Sequence, residues 1–385
     1  MEKERAYERE EVETWTRLVL GETLHPKQLQ SVTDGVDGVL HAAYLGIRAI
    51  GRGLAAANGL TPKHAIKQVD RLLSNRNLPT TAMFEAWLAF ATQGHEHMRV
   101  NFDWTELAAH DQSLLVLGLQ HRGRSIPLVW KTFTRSQRKG RMHEYEDELL
   151  CLLHDVMPEG KRVTLLADRG FADSKLFAFL SEELGFDYIL RLKKNVFVTT
   201  TKGETKAAGA WRKEGEGRMV LKGAEVTKQK VKVGMYVCAS KADSPEVWCL
   251  VSSRDDMKAS EVAGWYMRRF TIEETFRDLK NARYGLGLSD VATVSNTRRD
   301  GLVWLAVLAH GLLTCLGKAG EEAGMSKYLG ATRPGELSLF RMGLLLFEQL
   351  PRMPASKRLP LLRHFAHAIS STPFVPFLPD VSDET

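Results

Sequence analysis

A change of hydrophobic period near residue 96 constrains this chain more than any other feature. Before it, apolar side chains recur at helical spacing; after it, they alternate or run together in short segments of β type. MRVNFD (98–103), SLLVLGLQ (113–120), SIPLVWKTF (125–133), RVTLLAD (162–168) and FDYILRL (186–192) read as strands. Short connections join the first three, which predicts an antiparallel meander. A helix around Tyr145, Leu149 and Leu152 precedes the fourth strand, and a second, Ser174 to Leu184, precedes the fifth. Helical crossovers of that kind add parallel strands. The expected fold class is α/β, a mixed sheet covered by helices.

The flanking regions differ in character. Residues 1–92 read as a helical domain. Within it, Thr61 and Pro62 open the helix PKHAIKQVDRLLSN, whose apolar face is Ile66, Val69, Leu72 and Leu73. Lys63, Lys67 and Arg71 recur on another face, which either grips DNA or is an ordinary solvated face. Residues 195–255 turn Lys-rich and Gly-rich, with short strand candidates, and read as a β-rich insertion. Helices then fill residues 296–320 and 335–369, so the expected boundaries are 1–92, 93–330 and 331–385.

Composition narrows the partners. A net charge of +6 favours a polyanion, and residues 193–234 alone carry eleven Lys or Arg against four Glu. The four cysteines show no CxxC pairing, and His95 and His97 have no Cys/His/Glu cluster around them, which excludes a zinc hydrolase. The charged start MEKERAYEREEVETW has no apolar core, so no signal peptide is expected. The longest apolar run, Gly301 to Gly317, is too short to span a bilayer and contains His310, so it reads as a buried helix. The expected location is the cytoplasm, on the nucleoid, with no membrane partner.

One predicted helix carries a chemical pattern. In WYMRRFTIEETFRDLK, Tyr266, Arg269, Glu273 and Lys280 stand at offsets 0, 3, 7 and 14. At 100° per residue they project at about 0°, −60°, −20° and −40°, so one face carries all four. Trp265, Ile272, Phe276 and Leu279 form the core stripe beside it, while Met267, Arg268, Thr271, Thr275 and Asp278 cover the far side. The stripe admits two readings. It is either a solvated face of paired charges or a site where a carboxylate takes a divalent metal and two cations take phosphate oxygens.

Two further acids stand where a mixed sheet builds sites. Asp103 follows MRVNF, and Asp168 ends VTLLA before Arg169 and Gly170. Either could simply form a turn. Together with Glu273 they make an oxygen-only set suited to Mg²⁺ or Mn²⁺. Two such ions about 4 Å apart serve in-line phosphoryl displacement.

AYLGIRAIGRG, VNFDWTEL, LLADRGF and YMRRFTIEETFRDLK together resemble DDE transposases of bacterial insertion sequences. The resemblance is to the group with the Tyr-x2-Arg-x3-Glu-x6-Lys signature, the insertion-sequence-four family, and it runs from about residue 10 to residue 350. It implies an RNase H-like catalytic core with a β-rich insertion between the second Asp and the Glu. It also implies Asp103, Asp168 and Glu273 as metal ligands, and Tyr266, Arg269 and Lys280 on the phosphates of the element end. The neighbouring Glu274 lies about 100° around the helix and off the stripe. Trp248, in VWCLVSS, matches a position that takes up a flipped base, or it packs under the insertion.

The implied reaction is cut-and-paste transposition of double-stranded DNA at terminal inverted repeats. It proceeds by strand cleavage, a hairpin and joining to target DNA, with a homodimer on the DNA. Two other readings keep the residues: a metal-dependent nuclease without strand transfer, and a non-catalytic DNA-binding descendant.

Overall fold

The five strands expected between residues 98 and 192 form in the expected order and lie side by side. The structure, a computed structural model, describes residues 9–212, 218–240, 246–292, 294–333 and 335–370. Among them, five helices precede the sheet: α1 (Arg9–Leu20), α2 (Pro26–Ala42), α3 (Ile47–Asn58), α4 (Pro62–Leu73) and α5 (Thr80–Ala91). Pro62 occupies the first turn of α4, where its missing N–H is no loss.

Strands β1 (His97–Leu107), β2 (Gln112–His121) and β3 (Arg124–Thr134) pair antiparallel. Only Arg122 and Gly123 separate β2 from β3, and Gly123 takes the positive φ (71°) such a tight turn requires. Helix α6 (Met142–Val156) crosses to β4 (Arg162–Ala167), which pairs parallel with β1. Helix α7 (Ser174–Ala178), continued by a π turn, crosses to β5 (Asp187–Arg191), parallel with β4.

The insertion differs from its expected extent. The stretch supplies β6 (Phe197–Thr199), β7 (Thr205–Ala207), β8 (Met219–Lys222), β9 (Glu225–Val226), β10 (Val231–Lys232), β11 (Met235–Ser240) and β12 (Val247–Ser252). Of these, β6, β7, β9 and β10 make a separate four-stranded sheet, whereas β12, β11 and β8 extend the main one. The main sheet therefore runs β3-β2-β1-β4-β5-β12-β11-β8. The reason is the edge of β5, whose unpaired backbone groups β12 satisfies by antiparallel pairing at Ile189, Leu190 and Arg191.

Helices α8 (Ala259–Met267), α9 (Thr271–Lys280), α10 (Asn296–Glu322), α11 (Leu339–Gln349) and α12 (Ala355–Ser370) complete the chain. The two faces of the sheet pack separately. Leu165 of β4 joins the large core, while its neighbour Leu166 joins a smaller cluster with Trp248, Trp265 and Tyr266. Helix α10 is long and apolar enough to cross a membrane, but it is largely buried within the protein. Trp15 of α1 donates its indole N–H to the Leu308 carbonyl at 3.0 Å. Buried side chains of α1–α5 thus belong to the same cluster as those of α10 and the sheet, so packing does not break at residue 92.

Two glycines set the crossing of α10 and α11. A β-carbon at Gly317 would lie 1.8 Å from the Leu339 carbonyl oxygen, and one at Gly343 the same distance from that of Leu313. Gly317→Ala or Gly343→Ala should therefore cost about 2 to 3 kcal/mol, read as a lower urea midpoint with unchanged m.

Asp300 of α10 accepts the Thr132 N–H at 2.8 Å, and burial raises its carboxyl to about 7. The native state then holds this proton more tightly than the unfolded chain. The group's contribution is full below pH about 4 and is lost as pH rises through about 7. Asp300→Asn should gain melting temperature relative to the wild type as pH rises from 5 to 8, by calorimetry.

Candidate active site

The site starts from strand register. Phe102 of β1 lies opposite Ala167, the last residue of β4, so Asp103 and Asp168 come next on neighbouring parallel strands. Such strands are about 4.8 Å apart, and the charge of Asp168 reaches the Asp103 carboxyl. Asp103 is not at a strand end as expected. It sits inside β1, which continues to Leu107 paired with β2 alone, because β4 stops where the chain must turn. That turn is closed by the Asp168 carboxylate, which accepts the Gly170 N–H at 2.6 Å. A β-carbon at residue 170 would come within 3.0 Å of the same oxygen. Asp103 accepts its neighbour's amide, Trp104 N–H, at 2.9 Å.

Asn101 lies on the same face of β1 as Asp103, and it anchors the helix that brings Glu273. Its amide donates to Thr271 Oγ1 at 3.2 Å, and its carbonyl accepts the Gln120 amide at 2.7 Å. Thr275 Oγ1, one turn on, both accepts Ser125 N–H and donates to Ser125 C=O, each at 2.8 Å. The expectation that Thr275 and Asp278 face solvent is corrected: both are buried against β3.

The predicted single helix is in fact two. A 3₁₀ turn at Arg268–Phe270 separates α8 from α9. Each 3₁₀ residue advances about 120° instead of 100°, a small change over one turn, and the stripe holds together: Arg269 meets Glu273 at 3.4 Å and lies 5.8 Å from the Tyr266 ring. Tyr266 is fully buried in the smaller cluster, where its ring meets Trp248 edge-on at 5.2 Å. Trp248 is itself only 4 % exposed and belongs to the main sheet, so neither ring offers a face to DNA in this conformation.

Arg269 is also buried, and it faces the acids. Its guanidinium meets Asp103 at 2.9 Å and Glu273 at 3.4 Å. It stacks at 4.6 Å over Phe270. Arg269 therefore stands as a cation between two carboxylates, where a phosphate contact was expected. Burial lifts the Asp103 carboxyl to about 6, with Arg269 opposing and the charges of Asp168 and Glu273 adding to the rise. The three acids thus share one electrostatic neighbourhood. Among the described residues, no three of them close on a point that could hold one ion.

Asp103, Glu273 and Lys280 line a common open cleft of about 710 Å³. Lys280 is half-buried there, and desolvation pushes its ammonium below the ordinary value. Glu274 belongs elsewhere: it pairs with Arg277 at 2.8 Å and Arg124 at 3.9 Å on the far side of α9. Sequence reading missed Ser289 and Asp290, which form the opposite wall of the cleft. Arg299, fully buried, holds their loop by donating to the carbonyls of Leu288 at 3.1 Å and Val291 at 3.5 Å. No periodic pattern marks that loop. Lys63, Lys67 and Arg71 are exposed on α4 and do not line the carboxylate cleft.

A comparison with curated proteins gives no match. Residues 120–308, just under half of the chain, match the family model described as the transposase DDE domain. The matched segment runs from the end of β2 into α10 and includes Asp168, Glu273 and Lys280 but not Asp103. The match supports a DDE transposase.

Proposed function

We propose that this protein is a DNA transposase that cuts and rejoins an insertion sequence, with an RNase H-like core and Asp103, Asp168 and Glu273 as its catalytic carboxylates. The observation that supports the reading is the β1–β4 register, whose last pair Asp103 and Asp168 directly follow, next to the cleft that Asp103, Glu273 and Lys280 line. Oxygen-only donors suit Mg²⁺, with Mn²⁺ as a substitute. The fit rests on Asp103, whose carboxyl is raised by burial and by two neighbouring acids: such a cluster calls for a cation, and Arg269 supplies one in this conformation. When bound, divalent ions would activate the attacking oxygen and stabilise the leaving oxygen of a phosphodiester.

The chain's own groups divide the remaining work. Asp103 and Asp168 are fixed by neighbouring strands and Glu273 by a helix anchored on Asn101, so they are preorganised. Lys280 holds a phosphate oxygen of the element end. Arg269, released from Asp103 and Glu273, takes a second. Lys63, Lys67 and Arg71 are the candidate contacts of α4 to more distant DNA. Water frees a 3′-hydroxyl at each terminal repeat, the hydroxyl forms a hairpin on the opposite strand, and after opening it joins target DNA. Cutting both ends together calls for a homodimer on nucleoid DNA.

Full-length protein incubated with Mg²⁺ or Mn²⁺ and the DNA flanking its own gene should give nicked, hairpin and joined products on denaturing gels. Nicks without joined products would leave a nuclease. Asp103→Ala, Asp168→Ala and Glu273→Ala should each lower cleavage by about a thousandfold or more while Glu274→Ala keeps most of it. The reverse pattern for the two glutamates would overturn the site. Lys280→Ala should bind end DNA more weakly, with log K against log[salt] shallower by about 1.

A further inference from the structure

Helix α9 separates two clefts. One holds the carboxylates, and the other, about 970 Å³, lies on the opposite flank against the start of α11. Arg277 and Asn281 line both.

The acids of the second cleft are all engaged. Glu274 pairs with Arg277 and Arg124, Asp278 with Arg124 at 2.6 Å, and Glu321 with Arg122 at 3.2 Å. Glu336 accepts the backbone N–H groups of Thr332 at 2.7 Å and Arg333 at 3.2 Å. Two arginines stand near them, Arg341 in the lining of this cleft and Arg283 next in sequence to the lining residue Tyr284. Arg283 and Arg341 stack over the ring of Tyr284, their guanidinium carbons 5.1 and 5.7 Å from its centroid. Tyr284 is 47 % exposed, and among the described residues neither guanidinium has a carboxylate within 4.0 Å. The outer rim of the second cleft is therefore an exposed aromatic ring between two uncompensated positive charges.

That chemistry fits a phosphate backbone, since stacked guanidinium groups with free N–H donors bind phosphate oxygens in fork geometry. The neighbouring amide adds no base-edge acceptor. Asn281, the amide nearest this rim in sequence, has its side-chain carbonyl taken by the N–H groups of Arg283 at 2.8 Å and Tyr284 at 2.9 Å. A contact made by charge and stacking alone is indifferent to sequence. Joining, in turn, needs a second duplex close to the carboxylates that hold the first. We infer that Arg283, Tyr284 and Arg341 form a docking surface for the target duplex, on the flank of α9 opposite the cleft for the element end. This inference rests on the transposase reading.

The test uses full-length protein and a fluorescent 30-base-pair duplex of random sequence, beside the DNA flanking its own gene. All three side chains lie at the surface or partly so, and circular dichroism and melting check that the variants fold. Arg283→Ala with Arg341→Ala should weaken binding of the random duplex and make its salt slope shallower by about 2. It should also cut joining to that duplex more than it cuts cleavage of the flanking DNA. Arg283→Lys with Arg341→Lys should restore most of the salt slope. A double Ala variant that binds the random duplex as tightly as wild type, with the same slope, overturns the docking surface alone. Wild-type protein that binds neither DNA overturns the functional reading beneath it.

Discussion

The parallel pairing of β1 with β4 is the constraint on which the rest of the site depends. It ends at Phe102 and Ala167, and the next residue on each strand is an aspartate. Every other feature of the cleft is arranged around that pair. Because the register of a parallel ladder is set by buried side chains on both faces, a slip of one residue would send Asp103 to the opposite face and Phe102 out of the core. Phe102 is fully buried and packs on Phe171 at 4.6 Å, just past the turn that Asp168 closes. Hydrophobic packing on one face of the sheet therefore fixes the geometry of carboxylates on the other.

Keeping acids together in a buried place costs stability, and the structure shows how the cost is met. Asp103 is raised by burial and by its acidic neighbours, so its proton affinity records the repulsion. Arg269 relieves it by lying between Asp103 and Glu273, and Phe270 covers the guanidinium. The 3₁₀ turn lies at Arg268–Phe270, directly beside these charges, and Arg269 still pairs with Glu273 one turn further on.

Much of this was legible in the sequence. Period-2 runs located β1 to β5, short connections predicted the meander, and helical crossovers predicted the parallel pairs. The acids at positions 103, 168 and 273 are marked by strand ends and by a helical stripe, and Glu273 is preferred to Glu274 from the family signature together with its angle on the helix. What could not be read required tertiary facts. Short strands of an insertion look the same whether they pair with each other or extend a neighbouring edge, so the sequence could not say that β8, β11 and β12 join the main sheet. Helical angles placed Tyr266 and Arg269 at the edge of the core but could not show the 3₁₀ turn at Arg268–Phe270 or how deeply both side chains are buried. Trp248 could not be judged, since a tryptophan in a strand pattern does not say which face is covered. Ser289 and Asp290 lie in a loop held by the buried Arg299, and nothing periodic announces such a loop.

The two glutamates of α9 show how one turn of helix can separate two electrostatic roles. Glu273 faces the carboxylates, is more than half exposed and, among the described residues, pairs with Arg269. Glu274, 100° further round, neutralises Arg277 and Arg124 together with Asp278. On the first flank negative charge is in excess and needs a cation. On the second the acids have consumed their arginines, and the surplus positive charge lies at the outer rim, on Arg283 and Arg341. One side of α9 thus faces a cleft that attracts cations, while beyond its other side Arg283, after the helix, and Arg341, on α11, attract anions. Reactions that join two phosphodiesters need both kinds of surface within reach of each other, and the width of one helix, about 10 Å, is the separation this fold provides.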